Sequence, residues 1–156
     1  MCTGVRFADA AGNLYFGRNL DWCESYGEGV VITPRGASIP TQFLGSLSPE
    51  HACVGMGIVV GGVPCYFANE AGLAIAGLNF PGYAQFAEAP EKGAVNVAAY
   101  EFPLWVAASF STVAEVRKAL KDVVIVAKAP SEGYGVAQLH WLVGDGRESI
   151  VIECQA

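Results

Sequence analysis

Residues 2–21 read Cys-Thr-Gly-Val-Arg-Phe-Ala-Asp-Ala-Ala-Gly-Asn-Leu-Tyr-Phe-Gly-Arg-Asn-Leu-Asp. Two short runs rich in β-branched and aromatic residues, Thr3 to Ala8 and Leu14 to Arg18, flank Ala11-Gly12-Asn13, which is a turn signal. The stretch reads as a β-hairpin that carries Cys2 at one end and delivers Arg18 and Asp21 just past the other. One hairpin therefore gathers a thiol, a guanidinium and a carboxylate.

Outward from the hairpin, Gly, Pro and Asn continue to divide short apolar runs. Strands are expected over Gly29 to Pro34, Cys53 to Val60, Pro64 to Phe67 and Leu73 to Asn79, with Ile39 to Pro49 as a surface loop. Ala98 to Ser109 is apolar and aromatic with an early Pro103, the pattern of a helix with proline in its first turn. Thr112 with Glu115 three residues on is a capping box, and Val113, Val116 and Leu120 follow at helical spacing. Strands return at Leu139 to Val143 and Ser149 to Cys154, joined through Gly144-Asp145-Gly146. The expected class is α+β, with residues 1–156 as a single domain. Two helices can cover only one face of so many strands, so the fold is expected to be incomplete at its C-terminal end.

Composition narrows the functional classes. Hydrophobic residues make up 53% and charged residues 15% of 156, and the apolar runs are broken by Gly short of the length a membrane-spanning helix needs. With a net charge of −6 and nine scattered Lys and Arg, neither a membrane nor a nucleic acid is an expected partner. The N-terminus reaches Asp9 without a basic and then apolar leader, so the expected location is the cytoplasm. Five cysteines, at 2, 23, 53, 65 and 154, form no C-x-x-C pair and have only His51 and His140 beside them. Neither a disulfide framework nor a metal site is expected, and Cys23, Cys53, Cys65 and Cys154 read as small buried apolar side chains.

Cys2 differs because removal of Met1 would make it the first residue. Its thiol is then a nucleophile, and its α-amine, of pKa about 7.7 to 8.0, can serve as the base. That arrangement needs no catalytic histidine. Alone, a cysteine at position 2 reads as an inert residue on a frayed terminus, and its neighbours change that reading. Arg18 and Asp21 are placed to orient the amine and hold a thiolate, or they form a structural ion pair. Asn79, at a strand end before Phe80-Pro81, can donate its amide to a developing oxyanion, or it is an Asx-turn residue.

Several blocks in order carry a family resemblance: Met1-Cys-Thr-Gly4, Tyr15-Phe-Gly-Arg-Asn-Leu-Asp21, Val31-Ile-Thr-Pro-Arg35, Asn69-Glu-Ala-Gly-Leu73, Ala76-Gly-Leu-Asn-Phe-Pro-Gly-Tyr83, Phe102-Pro-Leu-Trp105, Leu139-His-Trp141 and Ser149-Ile-Val151. Together they resemble the bile salt hydrolase and penicillin V acylase family of N-terminal-nucleophile hydrolases, most of all the bile salt hydrolases of gut actinobacteria. The resemblance implies a four-layer αββα sandwich and hydrolysis of the amide joining a bile acid to glycine or taurine through a thioester. It implies catalytic roles for Cys2, Arg18, Asp21 and Asn79, no cofactor, a conjugated bile salt as the small-molecule partner, and a homotetramer. Leu20, Phe67 and Ala68 are candidates for apolar contacts with a steroid, with core packing as the alternative for each.

The sequence departs from the family in two places. Family members are longer, and their later half carries a further catalytic asparagine and arginine with no counterpart before Ala156. Between Phe67 and Asn69 this chain has the single Ala68 where the family has about two more residues, which bears on substrate preference. Penicillin V acylase activity and a catalytically incomplete fragment are the alternative readings.

Overall fold

The structure, a computed structural model, describes residues 2–21, 25, 27–58 and 63–155, with residues 58 and 63–66 described by their backbone alone. The expectation for Cys23 lies outside the described residues, as does that for the Cys65 side chain.

The opening hairpin forms as the sequence predicts. Strands β1 (Thr3–Ala8) and β2 (Leu14–Asn19) pair antiparallel from Thr3 opposite Asn19 to Ala8 opposite Leu14. Gly12 takes a φ of +84°, which favours glycine. Asp9 completes the turn, its carboxylate accepting from the backbone of Ala11 at 2.9 Å and Asn13 at 2.8 Å.

Behind the hairpin stands a six-stranded antiparallel sheet in the order β12-β11-β8-β7-β6-β3. Its strands are β3 (Glu28–Thr33), β6 (Cys53–Ile58), β7 (Val63–Asn69), β8 (Ala74–Asn79), β11 (Leu139–Gly144) and β12 (Ser149–Ile152). The hairpin packs on this sheet at two glycines. A Cβ on Gly4 would lie 3.1 Å from Leu142 Cδ2, and one on Gly144 would lie 3.1 Å from Arg6 Cδ and 3.2 Å from the Phe16 ring. Glycine is present because the two layers approach too closely for a side chain.

The opposite face of the sheet is covered by α1 (Phe102–Ser109) and α2 (Val113–Ala119). Phe67, Ile75, Trp141 and Val143 of the sheet are fully buried there with Phe102, Val106, Val113 and Val116. Rings of Phe102 and Trp141 meet at 4.7 Å. Asn69, almost wholly buried, fastens the layers together: its Nδ2 donates to the carbonyls of Ala107 and Phe110 at 2.8 and 2.7 Å, while its Oδ1 accepts from the backbone of Ala71 and Leu73. It thereby satisfies carbonyls that the end of α1 would otherwise leave unpaired. The Thr112–Glu115 capping box is present at α2, and Pro103 occupies the first turn of α1.

Two expectations are corrected. The segment expected as a loop holds a small hairpin, β4 (Ile39–Thr41) with β5 (Gly45–Leu47). The first helix starts at Phe102 rather than Ala98, because Val95–Ala98 forms strand β9, parallel to β10 (Val123–Val126) across the two helices. A parallel partner about 28 residues away leaves no local signature, and the helices form the crossover it requires. Among the described residues the layers are therefore helices, six-stranded sheet and hairpin, an α+β arrangement.

Candidate active site

Cys2 stands partly buried immediately before β1. Its position is closed by Asn19, whose Oδ1 accepts from the Thr3 backbone across the open end of the hairpin. From the neighbouring strand Arg18 reaches across the layers. Its Nη2 lies 3.5 Å from Cys2 Sγ, and its Nε donates to the Gly77 carbonyl of β8 at 3.1 Å. One guanidinium thus ties the terminus to the large sheet and is placed to hold the negative charge of a thiolate.

Asn79 ends β8, exposed and paired with Leu139. It is two residues beyond the carbonyl that Arg18 holds, which along a strand is about 6.6 Å. Cys2, Arg18 and Asn79 are thereby brought to one end of the two packed sheets. Asp21 lies just after β2 on an exposed segment.

A cavity of about 470 Å³ opens beside this group, lined by Phe16, Gly17, Arg18, Leu20, Glu28, Met56 and Gly57. Its size suits a small organic ligand, and Phe16, Leu20 and Met56 give it an apolar wall. Leu20 is the expected contact that the cavity includes. Phe67 is fully buried on the helix side of the sheet, the packing alternative, and Ala68 is partly buried on β7 without lining the cavity. Sequence reasoning missed Asn19, Phe16, Glu28 and Met56. Asn19 and Phe16 lie inside the conspicuous Tyr15–Asp21 block, whereas nothing local marks Glu28 or Met56. A second cavity of about 430 Å³, by Glu50, His51, Ser111 and Glu115, lies on the helix side and contains none of the expected site residues.

The thiols separate by environment. Burial, with a contribution from the Glu70 charge, pushes Cys53 up to about 11, and burial raises Cys154. Both therefore stay protonated near neutral pH and behave as apolar side chains. Among the described residues no group of three or more His, Cys, Asp and Glu side chains is arranged to hold a metal ion. No described helix is long and apolar enough to cross a membrane.

Residues 2–156 match the model of a family described as linear amide C-N hydrolases, choloylglycine hydrolase family. The chain is 54% identical to a bile salt hydrolase/transferase of Bifidobacterium longum subsp. longum, over all of this chain (100%) and 50% of that protein. It is 52% identical to a conjugated bile acid hydrolase of Lactobacillus gasseri, over 98% of this chain and 49% of that protein. Two solved structures of a conjugated bile acid hydrolase from Clostridium perfringens superpose on it. The C2A mutant is 36% identical with a TM-score of 0.92, and the R18L variant 34% identical with 0.91, each covering 99% of this chain and 48% of the other. The chain spans about half the length of the curated relatives it matches.

Proposed function

This chain belongs to the choloylglycine hydrolase family of linear amide C-N hydrolases, and on that premise we propose that it carries the nucleophile half of a bile salt amide hydrolase site. The observation that carries the reading is the Cys2 thiol, 3.5 Å from the Arg18 guanidinium, beside an apolar-walled cavity. Further support comes from the relatives named for conjugated bile acid or bile salt hydrolysis.

After loss of Met1, the Cys2 amine takes the thiol proton and Sγ attacks the carbonyl carbon of the glycine or taurine conjugate. Arg18 holds the thiolate, Asp21 orients the amine, and Asn79 donates to the oxyanion that forms. The C–N bond breaks as the amine returns its proton to the leaving nitrogen. Water, deprotonated by the same amine, then hydrolyses the thioester and releases the bile acid. Leu20, with Phe16 and Met56, receives the steroid face. The steps require no metal or organic cofactor. We place this chemistry in the cytoplasm, in a homotetramer.

A second reading is favoured by one observation: Val30 and Ile32, 66% and 73% exposed, leave the sheet face beside the cavity open. Under it, the 156 residues bind a bile salt without turnover. One assay separates the two. Glycine and taurine release from glycocholate and taurocholate is followed with the purified chain, together with its intact mass. The proposal expects loss of Met1, release of amino acid, and none from Cys2→Ser. Faster cleavage of penicillin V than of either bile salt, or full activity with Met1 retained, overturns it.

A further inference from the structure

We infer that Gln138 is a positioning residue for the amide cleavage, holding Asn79 in place by clamping the turn that follows it; the inference rests on the oxyanion role proposed for Asn79. The β8–β11 ladder ends where Asn79 faces Leu139. Beyond it the chain must turn at Phe80-Pro81-Gly82-Tyr83. Pro81 offers no backbone donor, and Gly82 adopts a φ of +82°, a region other residues enter at a cost.

Two of the remaining turn amides are taken by one residue. Phe80 N–H donates to the Gln138 main-chain carbonyl at 2.8 Å, and Gly82 N–H donates to Gln138 Oε1 at 2.6 Å. The second bond extends the hold past the end of the sheet. Two residues along β11, the His140 ring stacks on Phe80 with centroids 4.5 Å apart and planes 6° apart, and His140 Nδ1 is itself 3.2 Å from Glu153 Oε1. Asn79 is therefore bracketed: Arg18 holds the Gly77 carbonyl before it, and Gln138 holds the Phe80 and Gly82 amides after it. A strand-end asparagine followed by an unclamped turn would sample several positions, and an oxyanion donor displaced by about 1 Å loses most of its effect.

The Gly82–Gln138 bond is exposed, so water can replace it with little change in stability. The test uses the 156-residue chain with Met1 removed and two reagents for Cys2. p-Nitrophenyl acetate acylates it: an Sγ–C bond forms, the C–O bond to p-nitrophenolate breaks, and the carbonyl oxygen passes through an oxyanion. Iodoacetamide alkylates it with no oxyanion. Both modifications are mapped to Cys2 by mass spectrometry.

Gln138→Leu should slow acylation about tenfold while alkylation stays within about twofold, a selective loss expected of a misplaced donor. Gln138→Glu keeps an oxygen acceptor for Gly82 N–H and should restore the acylation rate. Asn79→Ala, as reference, should slow acylation at least as much. If Asn79→Ala slows acylation and Gln138→Leu does not, the inference falls and the oxyanion role stands. Unchanged acylation in Asn79→Ala overturns the role and the inference with it. Equal slowing of both reagents, or no rescue by Gln138→Glu, shows general distortion and overturns the inference alone.

Discussion

The two faces of the six-stranded sheet are made by alternate residues of the same strands, yet they differ sharply. Against the helices lie Phe67, Ile75, Trp141 and Val143, all fully buried, joined by Asn69 to the end of α1. On the hairpin side, Leu78, Leu142 and Gly144 meet the hairpin, whereas Val30, Ile32, Val54 and Met56 remain 46% to 73% exposed. The covered part of that face supports the Cys2–Arg18 group, and the uncovered part adjoins the cavity. Pleating lets one strand serve two purposes: one face supplies close-packed burial, and the other positions polar groups at the margin of a second layer.

Substitutions on the two faces should therefore fail in different ways. The largest effect is expected at Cys2. If the chain turns over bile salts, Cys2→Ala should lower the rate by about 1000-fold or more, as removal of a nucleophile does, while shifting the urea midpoint little. Phe67→Ala should do the reverse in equilibrium unfolding, costing about 3 to 5 kcal/mol through lost burial and a cavity. A Phe67→Ala protein as stable as the parent would remove the basis for the comparison.

The junction between hairpin and sheet should respond at an intermediate level. Gly144→Ala places a methyl 3.1 Å from Arg6 Cδ, and overpacking of this kind costs about 1 to 3 kcal/mol. A variant with unchanged stability would mean the hairpin is free to lift.

Asp145 joins all three layers, and its effect should depend on pH. Its carbonyl accepts from Arg6 Nε of the hairpin, and its carboxylate accepts from the backbone of Val113, Arg147 and Glu148. Partial burial acts to raise its pKa, but those three backbone donors and the Arg6 charge outweigh it, leaving the carboxyl below the usual aspartate range. A carboxylate lowered by folding contributes stability above its unfolded pKa, and that contribution is lost as pH falls through its folded pKa. Urea midpoints measured between about pH 5 and pH 2 should fall more steeply for the parent than for Asp145→Asn, because only the parent carries this linkage. Parallel curves would refute the assignment.

The smallest effect is expected on the open part of the sheet. Thr replacing both Val30 and Ile32 should change stability by no more than about 0.5 kcal/mol per site, while light scattering shows less self-association.

Much of this organisation is legible along the chain. The opening hairpin follows from its alternation and turn, the start of α2 from Thr112 and Glu115, and the nucleophile candidate from Cys2 beside Arg18. Those signals act within a few residues. The β9–β10 pair has no such signal, because Val95–Ala98 and Val123–Val126 become strands only when the intervening helices bring them together. Phe67 illustrates the same limit. Its type announces burial or ligand contact equally well, and strand register alone places it under α1, with Met56 on the cavity side.

By itself the sequence determined the chemical candidates, since a thiol, a guanidinium, a carboxylate and an amide are fixed by residue type, and local turn and capping rules set the elements that carry them. Only the tertiary structure decided which groups meet. Arg18 spans from Cys2 to the carbonyl of Gly77, 59 residues away in the chain, and Gln138 reaches Gly82 across 56 residues. Such contacts depend on which strands pair and which face each residue takes. Burial over the whole chain settles both, and no short stretch of sequence contains that information.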